Sequence, residues 1–161
     1  MIRAALVILV ACGAPSVRPG APLMLDTVHD LARLLASSSV TVDAVVHRVG
    51  PVTTDHGADA AMDLQSSDPR FSHVQLWRDA DTGVPSMLAL DVAPTARLSV
   101  AELTRAFGAY QPGRPVPEGA APDLIFQSIV KDAVTATLVA RTSADHASVI
   151  TIRLIREPRL D

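Results

Sequence analysis

Apolar residues recur along this chain in two periods, and the switches between them mark its elements. Val28, Leu31 and Leu35, with Leu34 alongside, are spaced as on one helix face, which predicts a first helix over 27–37. Asp26 or Thr27 can cap it, Asp30 stands in its first turn, and Ser37-Ser38-Ser39 ends it. The run VTVDAVVHRV is rich in β-branched residues, with Val40, Val42, Ala44 and Val46 alternating. It predicts a strand over 40–49, stopped by Gly50-Pro51. HVQLWR (73–78) and VPSMLALDV (84–92) flank DADTG and predict a hairpin.

The strongest local pattern is LSVAEL, 98–103. Ser99 can cap a helix, Glu102 stands at the third helical position, and Leu98 and Leu103 can staple across the cap. A second helix is therefore expected over 100–107, with Val100, Leu103 and Phe107 buried and Gly108 as its stop. The segment YQPGRPVPEGAAP (110–122) reads as a proline-rich loop. DLIFQSIV (123–130) suits either a short helix or a strand, and AVTATLVAR (133–141) with ASVITIRLIR (147–156) predicts a second hairpin around TSADH. Hairpin-linked strands with two helices give an α+β class: a two-layer sandwich, an antiparallel sheet with both helices on one face.

The totals narrow the function classes. A chain of 161 residues makes one domain and can bury a core without disulfides or metals. With a net charge of −3 and no basic block, a nucleic-acid partner is not expected. Five aromatic residues (Phe71, Trp77, Phe107, Tyr110, Phe126) are too few for a base-stacking platform. No G-x-G-x-x-G or Walker loop is present, so nucleotide binding is not indicated and no cofactor is expected. No G-x-S-x-G elbow or Ser-x-x-Lys pair offers a nucleophile, and the chain is expected not to be an enzyme.

Residues 1–12 carry a separate message. Arg3 precedes the unbroken apolar run AALVILVA (4–11), which spans about 12 Å as a helix and is far too short to cross a ~30 Å hydrocarbon core. The tetrapeptide Leu9-Val10-Ala11-Cys12 resembles the lipobox of bacterial lipoproteins. That resemblance implies that residues 1–11 are a signal peptide and that a diacylglycerol is attached to the Cys12 sulfur, often with further acylation of the new N-terminus. Two or three acyl chains, at ~0.8 kcal/mol per buried CH₂, hold a protein on a membrane. Lipidation would also account for the chain's single cysteine, a hazard as a free thiol in an oxidising compartment. Gly13 stands where Asp would imply retention at the inner membrane, so the resemblance points to the cell envelope, at an outer membrane facing the periplasm in a Gram-negative host. Cleavage after Gly13 with ordinary secretion, and a non-exported chain with a buried N-terminal strand, fit the same residues. Residues 12–25 then form the lipidated cysteine and a Pro/Gly tether, with 26–161 as the folded domain.

Candidate chemistry gathers in TTDHGADAAMDLQSSDPR (53–70). Asp55, Asp59 and Asp63 fall at i, i+4 and i+8, with His56 adjacent, and on a helix would share one face. Such a face would repel itself unless solvated or bridged by a divalent cation, although it matches no calcium-loop pattern. None of the five histidines forms an H-x-x-x-H pair; His47 and His73, both in expected strands, could approach across a sheet. Trp77 would share a strand face with His73 and Gln75, as core, as a sheet-edge cap or as a binding site. The expected role is a non-enzymatic binding or assembly-accessory module with an envelope protein as partner. The alternative is a small periplasmic enzyme or metal-binding protein using Asp55, His56, Asp59 and Asp63.

Overall fold

Val42, Val45, Val46 and Val49 stand at i, i+3, i+4 and i+7, and in the computed structural model that spacing prevails over their β-branching. The structure describes residues 21–57, 60–114, 121–127, 129–131 and 133–158. Residues 40–49 are not a strand: Val42–Val49 is a helix, α2, whose N-cap Thr41 accepts a hydrogen bond from the Ala44 amide at 3.2 Å. Burial of Val45 and Val49 stabilises this helix more than the modest propensity cost of valine opposes it. The helix before it, α1 (Ala21–Leu35), begins six residues earlier than expected. Residues 21–25, assigned above to the tether, are thus helical, and Met24 is fully buried. The third helix, α3 (Val100–Phe107), has its full capping box, with the Glu102 carboxylate accepting from the Ser99 amide at 2.9 Å.

The described residues therefore form three helices rather than two, with nine strands in one open antiparallel sheet. The strands are β1 (Val52–Asp55), β2 (Met62–Leu64), β3 (Phe71–Arg78), β4 (Pro85–Val92), β5 (Tyr110–Pro112), β6 (Leu124–Phe126), β7 (Ile129–Lys131), β8 (Val134–Thr142) and β9 (Val149–Pro158). Their order is β1-β2-β3-β4-β9-β8-β6-β5, with β7 also paired to β8. The class is α+β. Both expected hairpins form, β3–β4 and β8–β9, and the ambiguous 123–130 segment becomes the short strands β6 and β7.

One apolar core joins helices and sheet. Met24, Val28, Leu31 and Leu35 of α1 pack with a row that crosses the strands through Leu64, Val74, Leu90, Ile152, Ala140 and Leu124. The next row runs through Met62, Leu76, Leu88, Leu154 and Leu138. Because side chains alternate across a strand, the intervening residues form the sheet's other face. A sharp junction follows α2. Gly50 has φ of +146°, and a Cβ there would lie 1.8 Å from the Gln65 carbonyl oxygen, so only glycine lets the 65–67 backbone seat against the helix end.

Candidate functional site

Two places gather polar groups among the described residues: the outer sheet face and a cleft beside α1. On the outer face the strand register sets side chains in rows. The central row runs Asp63, Gln75, Ala89, Arg153, Val139, Ile125 and Gln111, and crosses about 29 Å at the usual strand spacing. Beside it lie Trp77, Met87, Ile155 and Thr137, and on its other side His73, Asp91, Thr151 and Arg141. Trp77 is half-buried and points away from the core formed by Val74 and Leu76, sharing its face with Gln75 and His73 as the alternation implied.

Asp63 organises one end of this face. Its carboxylate accepts from Gln75 Nε2 at 2.9 Å and meets His56 Nε2 at 2.9 Å and His73 Nε2 at 3.4 Å. The Gln75 hydrogen bond, and then the His56 contact, hold the Asp63 carboxyl below its ordinary pKa. This is not the helical face drawn from the i, i+4, i+8 spacing. Asp55 and Asp63 stand on paired antiparallel strands, β1 and β2, and take separate partners. Asp55 accepts from Arg78 Nη2 at 2.9 Å and from the Gly57 amide at 3.0 Å. Asp59 lies outside the described residues, as do Cys12 and the whole 1–20 segment. Among the described residues, no three His, Cys, Asp or Glu side chains are placed to hold a metal ion. His47 and His73 do not meet across a sheet, because His47 belongs to α2.

The other end of the face is held by Asp123, which pairs with Arg153 and takes Arg141 Nε at 3.5 Å. Ile125 is exposed at this end of the face, whereas Tyr110, also exposed, pairs with the buried Phe126 and belongs to the opposite side. The Tyr110 ring lies 5.6 Å from that of Phe126.

The cleft lies between α1, the end of α2 and the 66–71 loop, with a volume of about 530 Å³. Leu31, Val49, Phe71 and Leu90, all buried, make its floor. Its polar lining includes Arg48, Arg70, Asp68 and two serines. The Ser67 hydroxyl donates to the Val49 carbonyl at 2.9 Å, which ties the loop to α2. Asp68 accepts from both Nε and Nη2 of Arg70, a bidentate pair that holds the Asp68 carboxyl below its ordinary pKa and raises that of Arg70. Sequence reading missed this site, since S-S-D-P-R carries no motif and its meeting with α2, 18 residues away at the Ser67–Val49 bond, and with the still more distant α1 is a long-range contact.

No protein-family model, curated protein or solved structure matches this chain. No described helix is long and apolar enough to cross a membrane.

Proposed function

We propose that this protein is a lipid-anchored envelope lipoprotein whose domain serves as a non-enzymatic binding or assembly-accessory module. In this reading residues 1–11 direct export, Cys12 carries the lipid, and the residues that follow tether a two-layer domain close to the membrane. The helices cover one sheet face, and the opposite face meets an envelope protein. The host's outer membrane, on its periplasmic side, is the site that Gly13 favours if the host is Gram-negative.

The observation that carries the binding role is the outer row of Trp77, Met87 and Ile155, beside Ala89, Val139 and Ile125. Apolar side chains in register on a sheet face, with Asp63–His73 at one end and the Asp123-paired Arg153 crossing the central row between Ala89 and Val139, combine an apolar patch with polar groups as interfaces do. Tryptophan and methionine are enriched at interface cores.

A photo-crosslinking residue at Ala89, with one at Asp81 in the β3–β4 turn as control, tests the face in native envelopes. A discrete protein adduct from position 89 and none from 81 is expected, and equal adducts from both would refute a specific face. The anchor is tested separately by Cys12→Ser, which should move the protein from the membrane to the soluble fraction. If it stays with the membrane and loses no lipid, the lipobox reading fails.

A further inference from the structure

We infer that the cleft between α1, α2 and the 66–71 loop binds an amphiphile with a single anionic head on an apolar body. The cleft belongs to the side of the sheet opposite the outer face: its floor residues Leu31, Val49, Phe71 and Leu90 are part of the core that the sheet's inner side helps to build. The inference does not depend on the anchor or on the partner proposed above.

Three observations support it. The volume of about 530 Å³ lies within the ~300–1,000 Å³ typical of small-molecule sites. The floor is built from apolar side chains, which suit a hydrocarbon body better than a hydrated ion. The lining holds two guanidinium groups, Arg48 and Arg70, against one carboxylate, Asp68. Asp68 is engaged by Arg70 in a bidentate pair that fixes this guanidinium at the rim before any ligand arrives. Arg48 forms an exposed pair with Asp30 at 2.8 Å, which a ligand head can displace at little cost.

The charge continues beyond the cleft. Arg48 also lines an adjoining recess of about 420 Å³ with Arg33, His47 and Lys131, where Asp30 is the one carboxylate among the described lining residues. This side of a chain with net charge −3 thus presents a local cationic surplus, which favours an anionic head and steers its approach.

The test uses the full chain carrying Cys12→Ser, so that neither acyl chains nor detergent compete. Calorimetric titration compares decanoate, decanol, acetate and decyl phosphate. One decanoate per chain is expected, with decanol at least about ten-fold weaker and acetate silent; tighter decyl phosphate would identify a phosphoryl head and tighter decanoate a carboxylate. Arg48→Gln, at a half-exposed side chain, should weaken the better ligand about five-fold or more, and Arg48→Lys should restore part of it. Arg105→Gln on α3 should change nothing. No one-to-one binding of either anion at millimolar concentration, decanol as tight as decanoate, or Arg48→Gln indistinguishable from Arg105→Gln would each overturn the inference.

Discussion

Replacing Gly50 by alanine should cost this domain a large part of its stability, and the cost can be worked from the local geometry. Gly50 combines φ of +146° with ψ of 174°, a region that side chains other than glycine's occupy at about 1–3 kcal/mol. The added methyl would sit 1.8 Å from the Gln65 carbonyl oxygen and 3.0 Å from its carbon, so backbone and not a flexible side-chain tip must retreat. That retreat strains two hydrogen bonds of the junction: Gln65 amide to Pro51 carbonyl at 2.9 Å, and Ser67 amide to Val49 carbonyl at 2.8 Å. Each contributes about 1 kcal/mol net, which brings the total to about 3–5 kcal/mol. Against a typical domain stability of about 5–15 kcal/mol, the variant should remain folded but with a melting temperature lower by roughly 10–15 °C. Urea unfolding measures the change, with Gly83→Ala as control. Gly83 also has positive φ, +68°, but a Cβ there meets nothing within 4 Å, so its loss should be only about 1–2 kcal/mol. If Gly50→Ala lowers stability no more than Gly83→Ala, the seating of the loop against α2 is wrongly described.

Other perturbations probe other links. Phe126→Ala empties one of the largest fully enclosed core positions and should cost about 3–5 kcal/mol in the same assay, whereas Ile125→Ala, one residue away on the exposed face, should cost under about 1 kcal/mol. Ser99→Ala removes the α3 cap and should cost about 1 kcal/mol; a change below the error of the urea midpoint would deny the cap a role. The carboxyls of Asp63 and Asp68 both lie below their ordinary pKa in the folded protein. Their stabilisation is therefore complete above the unfolded-state range near ~4 and fades as pH falls through the lower folded values. The urea midpoint should drop as pH falls below about 4, more shallowly in Asp68→Asn, and an identical slope in that variant would show that the Arg70 pair does not contribute.

Much of this architecture could be read from local pattern alone. The α3 capping box, both long hairpins and the α+β class follow from spacings of four residues or fewer and from turn chemistry, because those interactions are complete within a short segment. That Trp77 shares a face with His73 and Gln75 follows from alternation alone, but which side of the sheet that face takes is set by the burial of Val74 and Leu76.

Tertiary structure decided the rest. Residues 42–49 satisfy a strand by composition and a helix by spacing, and burying Val45 and Val49 against the core selects the helix. Asp55, Asp59 and Asp63 read as one helical face, with His56 adjacent. Folding instead places Asp55 and Asp63 on paired strands and gives Asp63 to Gln75, His56 and His73, because a hairpin brings together residues that a linear spacing rule keeps apart. The cleft was least visible of all. Leu31, Val49, Arg70 and Leu90 come from four separate segments, and no local interaction encodes their meeting. Short-range chemistry determines which elements this chain makes, while the common burial of their apolar faces determines which side chains become neighbours.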